Sequence, residues 1–551
     1  MKILIKNPTV FDPFNGIDGD VVDILIEDGR IVERFSSNRG GIIEIDAKNK
    51  ILMPAGIDIH THVAGGPVNE GRLFRPEDKK IVRKHENGIR SGSGFSVPST
   101  FLTGYEYALL GYKFLVQPIV PPLKAKHTHQ ELMDIPLMDK VPLLLLGNNY
   151  LVAKYIENNE YEVLKDYVAW MLNTTKTYGI KAVNPGGFLS WLWGERRLKP
   201  SKKIQKFNIT PADIIQNLGR VSTDLEIATP LHLHLNGIGF PGNYEFPLET
   251  IRLIESRTHI VHLQFSCYGG DSWRTMSSES DRVLKEVERN ERVTFDVGQV
   301  TLDNTTTMTA DAPFEHHLYN LTGNKWSSRD VELECGSGIV PYTYSKKSLT
   351  NSIQWAIGLE LVLLSKDLGR VCLSTDHPNA GPFIRYPRVI AWLMDRGYRG
   401  KFSDKLNKTF SKRCILPSLD KELSFYEISL ITRKSPADII GLRNKGISSG
   451  SNADIVVYDV NPEVSKGEVI ERAFSRALYT IINGEIVVRK GEVIDSGQGR
   501  TLYSKTELEN PNFESEIEDF FRQRYSVGIS NYSVDYDGIV NVRNENYPTE
   551  T

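Results

Sequence analysis

Short apolar runs alternate with longer amphipathic segments through the middle of the chain, from residue 53 to about residue 411. The runs have the length of buried strands, and the segments between them repeat apolar residues with the period of a helix. Strand–helix alternation over this distance predicts a parallel α/β sheet, and a (β/α)8 barrel if eight units close. The predicted strands are 51–57, 94–98, 114–118, 141–147, 180–183, 230–235, 258–265, 293–297 and 371–375. The clearest predicted helices are 158–178, 211–218 with Thr210 as its N-cap, and 278–290.

At both ends of the chain the pattern changes to short strands joined by tight turns. Residues 1–52 contain the hairpin signal Asp28-Gly29, and residues 412–495 contain Asn483-Gly484. The N-terminal strands are too few to bury a core alone. We therefore predict one discontinuous β domain, a small β-sandwich built from both termini. Residues 496–551 are polar and lack strong periodicity, so we expect a C-terminal extension whose order depends on a partner.

Composition narrows the class of protein. The 551 residues are 40% hydrophobic and 25% charged, as in an ordinary soluble globular protein. A net charge of −3 gives no basic bias for neutralising phosphates, which argues against nucleic acid as the main partner. No apolar run reaches the length of a membrane span, and the chain opens on strand-like sequence instead of a signal peptide. Four widely spaced cysteines form neither a disulfide framework nor a metal-cluster pattern, and we expect a cytoplasmic protein.

The segment Asp58-Ile59-His60-Thr61-His62 carries the first candidate chemistry. It follows the apolar run 51–57, so the two histidines lie where a first barrel strand ends. Residues two apart in a strand share a face, and His60 and His62 therefore project together. Imidazole is the commonest metal ligand in proteins. The spacing predicts half of a metal site, although two histidines this close are often structural.

Lys181, inside the run 180–183, is the next candidate. Burial in a barrel strand would lower its pKa and make the neutral amine available. A neutral lysine can add CO2 to become a carbamate, whose two oxygens can bridge two zinc ions. The alternative for any single lysine is a surface side chain with its charge in water.

Three further groups lie at the ends of later predicted strands. His234 ends the run 230–235, with His232 deeper in the strand, and His262 lies near the end of the next strand. His259 is an odd number of residues from His262 and faces the opposite side, so we interpret it as structural. Asp376 follows the run 371–375, where a carboxylate can bind zinc and accept a proton. A structural role is the better interpretation of each group alone, but five groups in this order favour a zinc site.

The order of two histidines, a lysine, two histidines and an aspartate resembles the amidohydrolase superfamily, notably its hydantoinase and dihydroorotase branch. A β domain made from both termini is also similar to that superfamily. Longer segments resemble the A subunits of the formylmethanofuran dehydrogenases, over nearly the whole chain and least clearly at 395–425 and in the C-terminal extension. The segments that carry this resemblance are 54–78, 99–112, 121–140, 145–149, 179–187, 262–273, 296–313, 331–345, 351–364 and 375–394.

The resemblance implies that residues 53–411 form a metal-dependent, TIM-like hydrolase barrel with two Zn2+ ions. The implied ligands are His60, His62, Lys181 as N6-carboxylysine, His234, His262 and Asp376. A partner protein with a tungsten or molybdenum pterin, served by ferredoxin-like iron–sulfur subunits, would reduce CO2 to formate. Formate would pass through a channel to this chain and condense with the amine of methanofuran, giving N-formylmethanofuran in a reversible step of methanogenesis.

Individual residues have implied or suggested roles in that reaction. Asp376 would be the catalytic group that moves a proton between the amine and the departing oxygen. Asn184, Arg72 and Arg385 are candidate contacts to the furan substrate or to formate, with surface or structural roles as alternatives. The pair His127 and His129 lies in a polar segment and is interpreted as structural or facing another subunit.

Other functions compete with this one. The first protein of a formyltransferase/hydrolase complex, its FhcA-type component, is similar, and the same site would there release formate by hydrolysis with no redox partner. A free-standing cyclic amidohydrolase would share the ligands but not the extended similarity. A catalytically silent scaffold protein is the third alternative, against which the intact ligand set argues.

Overall fold

Eight parallel strands form the centre of the molecule. The computed structural model describes residues 1–37, 41–80, 82–83, 89–329, 336–443, 446–463 and 466–542. The strands pair in chain order: β1 (Gly56–Asp58), β2 (Tyr112–Val120), β3 (Asp139–Leu145), β4 (Gly179–Val183), β5 (Leu231–His234), β6 (Thr258–Ile260), β7 (Val293–Asp296) and β8 (Val371–Cys372). Beyond the strand ends, Thr61 forms a parallel bridge with His377, and the His62 N–H donates to the His377 carbonyl at 2.7 Å. These contacts join the first and last strands, and the predicted α/β barrel class is confirmed.

One predicted strand, 94–98, is wrong. Strand structure is confined here to Gly92–Ser93, which pairs with Val82–Arg83 away from the barrel. The Asp78 carboxylate accepts hydrogen bonds from the backbone N–H groups of Ser96 at 2.7 Å and Val97 at 3.3 Å. A side chain thus uses the donors that a neighbouring strand would need.

The helices between the strands follow the predicted amphipathic segments. Helix Pro211–Asp224 begins at Thr210, whose hydroxyl accepts from the Asp213 N–H while the Asp213 carboxylate accepts from the Thr210 N–H. This reciprocal cap is the expected start signal. The described α-helices are Gly66–Phe74, Thr100–Leu109, Ala125–Met133, Tyr150–Glu157, Tyr161–Thr175, Gly187–Trp191, Pro211–Asp224, Glu245–Leu253, Ser280–Arg289, Ala312–Thr322, Leu349–Leu364, Tyr386–Met394, Arg396–Ser403, Phe425–Ser429, Ser435–Ile440, Gly467–Ser475 and Phe513–Arg524.

Strands from both ends of the chain share one sheet. Its seven strands, in spatial order, are Glu492–Val493, Glu485–Arg489, Tyr479–Ile482, Ile455–Tyr458, Ile51–Pro54, Thr9–Asp12 and Ile17–Val21. A second sheet contains Arg30–Val32, Ile24–Glu27, Lys2–Lys6 and Ile42–Asp46. Apolar residues of both sheets, such as Ile5, Ile26, Leu52 and Val457, belong to one buried cluster. The two sheets therefore pack as a sandwich. The predicted domain boundaries near residues 52, 411 and 495 stay predictions.

Both hairpin signals are confirmed. Glu27 pairs with Arg30 across Asp28-Gly29, and Ile482 pairs with Glu485 across Asn483-Gly484. All four turn residues have positive φ, the geometry that asparagine, aspartate and glycine tolerate best.

The C-terminal extension does not behave as an unpartnered tail over its described part, which ends at residue 542. Strand Thr501–Tyr503 pairs in parallel with β3 and with Ile539–Asn541. Helix Phe513–Arg524 buries Phe513, Ile517 and Phe521, the last with its ring centroid 6.3 Å from that of Trp170. The expectation that this segment orders only with a partner was wrong, because three well-spaced apolar residues suffice to attach the helix to the barrel.

Two expectations from composition can be compared with the structure. Within the described ranges no helix is both long and apolar enough to cross a lipid bilayer. Cys267, Cys372 and Cys414 are free thiols. Cys335 and the segment 331–335 lie outside the described residues.

Candidate metal centre

The six predicted ligands line one cavity at the carboxyl ends of the barrel strands. His60 and His62 follow β1, Lys181 lies in β4, and His234 ends β5. His262 and Asp376 follow β6 and β8. The cavity has a volume of about 400 Å3, and all six side chains are at most 3% exposed. The carboxyl end of a barrel is where the βα loops assemble catalytic groups.

Three of these groups lie close enough to hold one ion. The Asp376 Oδ1 atom lies 3.1 Å from His60 Nε2 and 3.3 Å from His62 Nε2. The three potential ligand atoms are all within 4.8 Å of one another. The His262 ring centroid lies 5.3 Å from that of His60 and 4.7 Å from that of His234, so the remaining imidazoles border the same space.

The backbone at this site adopts uncommon conformations. His262 and Asp376 have φ values of 37° and 45°, and Asn184, after β4, has 40°. Positive φ is rare for residues other than glycine and is often found at functional sites. The turn at each strand end aims the side chain into the cavity instead of along the sheet.

Lys181 is buried, and its Nζ atom has no hydrogen-bond partner. Burial lowers the pKa of Lys181 to about 7, and the Asp296 and Asp376 carboxylates only partly oppose this shift. A substantial fraction of the side chain is therefore the neutral amine that carbamate formation requires. An unpaired buried amine surrounded by imidazoles and carboxylates fits a residue that completes a metal site.

The charges of the other ligands also suit a cation. Burial alone would raise the pKa of Asp376, but the imidazoles of His262 and His60 outweigh it and hold that pKa far below its usual range. Burial lowers the pKa of His262 well below its ordinary value and that of His62 to about 4. His60 is the exception, because Asp376 and Asp296 together raise its pKa against burial and Lys181. The cavity thus offers an ionised carboxylate and mostly neutral imidazoles, the forms that bind zinc.

Two aspartates missed by the sequence analysis orient the ligands. Asp296, at the end of β7, accepts from the backbone N–H of His262 at 3.0 Å and lies 3.2 Å from His259 Nε2. Asp311 lies 3.2 Å from His234 Nε2, which leaves Nδ1 of that ring as the nitrogen with a free lone pair. Such carboxylates fix the orientation of metal-binding imidazoles. The position of Asp296 at a strand end was a usable signal, whereas Asp311 lies in the long β7–β8 connection and gave none.

A third missed aspartate anchors the first strand. Asp58 is fully buried and accepts from the hydroxyls of Tyr107 at 2.7 Å and Tyr386 at 2.8 Å, and from the His60 N–H at 3.1 Å. The Tyr386 hydroxyl in turn accepts from the Thr375 N–H at 3.2 Å. This network joins the segment that carries His60 to the residue before Asp376.

The candidate substrate residues lie outside the cavity wall. Asn184 donates to Asp311 at 2.8 Å and so reaches the site through that aspartate. Arg72 pairs with Glu131 at 3.1 Å, and Arg385 makes two 3.0 Å contacts with Asp303. Among the described residues that line the cavity, none of the three appears. Their roles in substrate binding stay predictions.

The histidines interpreted as structural lie apart from the metal ligands. His129 is buried, and its Nε2 donates to the Thr175 carbonyl at 2.9 Å. His127 lies 2.8 Å from Asn69. His259 contacts Thr294 and Asp296, and His232 Nε2 lies 2.9 Å from the Thr229 hydroxyl.

Comparison with known proteins defines the class. The sequence profile of the amidohydrolase family matches residues 44–488. The chain belongs to this family. It is 43% identical to Protein FwdA of Methanocaldococcus jannaschii over 97% of each chain. It is also 33% identical to FhcA, a component of the formyltransferase/hydrolase complex Fhc of Methylorubrum extorquens, over 97% of this chain and 96% of that protein. These matches confirm the family expected from the motifs.

Solved structures agree. The crystal structure of the FhcABCD formyltransferase/hydrolase complex of Methylorubrum extorquens with methylofuran contains a chain that superposes with a TM-score of 0.90 at 32% identity, over 98% of both chains. Dihydropyrimidinase from Brevibacillus agri superposes with a TM-score of 0.50 at 15% identity, over 92% of this chain and 99% of that chain. The second match shows a common fold only.

Proposed function

We propose that this chain is the formyl-transfer subunit of a formylmethanofuran dehydrogenase. It would condense formate with the primary amine of methanofuran, giving N-formylmethanofuran and water, and would also run the reverse reaction. The observation that carries the proposal is the convergence of the six ligands on one buried cavity. Similarity to FwdA over 97% of the chain, far beyond the ligands, supports the choice of formyl chemistry.

The ligand set fits two Zn2+ ions bridged by carboxylated Lys181. When bound, the ions would polarise the formyl oxygen and stabilise negative charge on it. The protein contributes the imidazoles of His60, His62, His234 and His262 and the carboxylates of Asp376 and the modified lysine.

Asp376 is the proposed proton carrier. In condensation, the amine nitrogen attacks the carbon of formate and loses a proton to the Asp376 carboxylate. Asp376 then returns this proton to the oxygen that departs as water, so the carboxylate ends as it began. Asn379 holds Asp376 in place, because its side-chain amide donates to Asp376 Oδ1 at 2.8 Å.

The apolar part of the cavity excludes bulk water. Its lining includes Ile119, Val183, Ile238, Phe265 and Phe314. Condensation to an amide is unfavourable in water, and a closed apolar chamber disfavours the reverse hydrolysis by limiting the water available.

The proposal includes partner subunits. The chain that superposes with a TM-score of 0.90 belongs to the complex FhcABCD, which supports a multi-subunit assembly for this protein. For a dehydrogenase, the partners would carry the tungsten or molybdenum pterin and the iron–sulfur clusters.

A second candidate function has its own support. The TM-score of 0.90 to the formyltransferase/hydrolase complex favours a subunit that releases formate by hydrolysis. The higher identity to FwdA favours the dehydrogenase. Iron and tungsten or molybdenum in the natively purified complex would indicate the dehydrogenase, and their absence the hydrolase.

The test common to both functions is hydrolysis of N-formylmethanofuran by the zinc-loaded complex, followed as formate released. We expect Asp376→Asn to lower kcat by about 100-fold or more, since it removes the proton carrier. Asp367→Asn is the matched control, because this exposed carboxylate only caps the Gly369 N–H. No formate release from the wild type, or an unchanged rate in Asp376→Asn, would contradict the proposal.

A further inference from the structure

Glu315 is a buried carboxyl group on the wall of the cavity that the metal ligands leave unused. It belongs to helix Ala312–Thr322, is 0% exposed, and lines the same cavity as the six ligands. It lies outside the compact group of His60, His62 and Asp376. A buried carboxyl group is costly unless its oxygens are paired.

Its position is held by the hairpin that packs on the helix. At Gly338, opposite Glu315, a Cβ atom would lie 2.2 Å from the Glu315 Cβ. Only glycine permits this close approach, and the strand Ser337–Thr343 therefore confines the Glu315 side chain. A confined side chain can hold a ligand atom with little loss of entropy.

One oxygen of Glu315 belongs to a short hydrogen-bond chain. The Thr307 hydroxyl oxygen lies 2.8 Å from Glu315 Oε2 and 2.8 Å from the Val340 carbonyl oxygen. A hydroxyl has one proton and can donate to only one of these acceptors. Both contacts become hydrogen bonds if Oε2 carries a proton and donates to Thr307, which then donates to Val340.

The electrostatics agree with a neutral Glu315. Burial raises the pKa of Glu315 well above its usual value, Thr307 opposes this shift, and Asp311 and Asp376 add to it. In the neutral acid Oε2 is the hydroxyl, and Oε1 is the carbonyl oxygen.

Oε1 is a buried acceptor without a partner in the protein. Leaving a buried acceptor unpaired costs about 1–3 kcal/mol, so such atoms in a cavity are expected to meet a ligand donor. The formamide of a primary amine has one N–H group to donate, on the atom next to the reacting carbon.

We propose that Glu315 binds the substrate, its Oε1 atom accepting a hydrogen bond from the amide N–H of the formamide, or from the amine N–H in the condensation direction. This inference rests on the proposed function and adds a substrate-binding residue to it. It assigns the nitrogen side of the substrate to the wall formed by helix Ala312–Thr322, away from Lys181.

The test compares Glu315→Gln with Glu315→Met in N-formylmethanofuran hydrolysis. Glutamine keeps a carbonyl acceptor at Oε1 and an N–H donor toward Thr307, so we expect kinetics close to wild type. Methionine keeps the volume but removes the acceptor, and we expect KM to rise about tenfold with kcat little changed, as for a contact made equally in ground and transition states. Glu360→Gln is the matched control, since Glu360 is also buried but bonds Ser280 and the Leu416 N–H instead of lining the cavity.

Two further readouts separate binding from other roles. Calorimetry with N-furfurylformamide and metal-free protein should show about tenfold weaker binding to Glu315→Met and unchanged binding to Glu315→Gln. Zinc content should equal that of the wild type in both variants.

Each other outcome overturns the inference. A glutamine variant as impaired as methionine would show that an ionised or proton-transferring carboxyl is needed. Loss of zinc in both variants would make Glu315 a metal ligand. Wild-type KM and affinity in Glu315→Met would leave it without a role in binding. An inactive wild type would instead refute the proposed function, and the inference with it.

Discussion

Removing one oxygen atom from the Asp58 network should destabilise both the barrel and its metal centre. In Tyr107→Phe the hydroxyl that donates to Asp58 at 2.7 Å is lost, and the Thr61 hydroxyl loses its partner, also at 2.7 Å. The ring should stay in place because it stacks on Phe383 with centroids 3.8 Å apart. The perturbation is therefore almost purely a loss of hydrogen bonds.

The size of the effect follows from these bonds. A hydrogen bond to a charged group contributes about 1.5–3 kcal/mol and a neutral one about 1 kcal/mol. We expect the free energy of unfolding to fall by about 2–4 kcal/mol. Because Asp58 also accepts from the His60 N–H, zinc affinity should fall as well.

Tyr112 provides a matched control in the same core. Its ring centroid lies 5.7 Å from that of Tyr107, the residue is 2% exposed, and its hydroxyl has no hydrogen-bond partner. Tyr112→Phe removes a buried unpaired group, so stability should be unchanged or higher by about 1 kcal/mol. Denaturant unfolding and zinc titration of the two variants form the assay. Equal changes in both, or no loss in Tyr107→Phe, would refute the reasoning.

Two further predictions concern ligand orientation and pH. Asp311→Asn should weaken zinc binding by about 10–100-fold, because it removes the carboxylate that orients His234; competition with a chromophoric chelator measures this, and unchanged affinity would contradict it. Burial lowers the pKa of His129 to about 4 from 6.5, so the unfolded chain binds its proton first as pH falls and stability is lost between pH 6.5 and 4. At pH 5 this loss is about 2 kcal/mol. The stability deficit of His129→Gln relative to wild type should accordingly be smaller at pH 5 than at pH 7, and a constant deficit would show that His129 does not titrate in this way.

The ligand residues could be found from sequence because each follows an apolar run. A strand end fixes where a side chain lies in a barrel, and so His60, His234 and Asp376 were predicted to converge without knowledge of any distance. The prediction that Lys181 is buried also followed from its place within a run.

The residues around the ligands could not be found in this way. Asp311 and Glu315 come from the long connection between β7 and β8, where no periodic pattern relates sequence position to place in the fold. The false strand at 94–98 has a similar cause, since Asp78 competes for its backbone donors through a contact distant in sequence. Pairings of this kind depend on tertiary geometry.

Zinc stoichiometry tests the central claim, a binuclear site bridged by Lys181. We expect about two zinc ions per chain in the wild type and a sharp fall in Lys181→Met. Lys140→Met is the control, because Lys140 is a buried lysine in the adjacent strand β3 whose Nζ donates to the Gly499 carbonyl at 3.1 Å, outside the cavity. Its zinc content should equal that of the wild type. A folded wild-type protein that binds no zinc even when the metal is supplied, or a Lys181→Met variant that keeps two ions, would contradict the account.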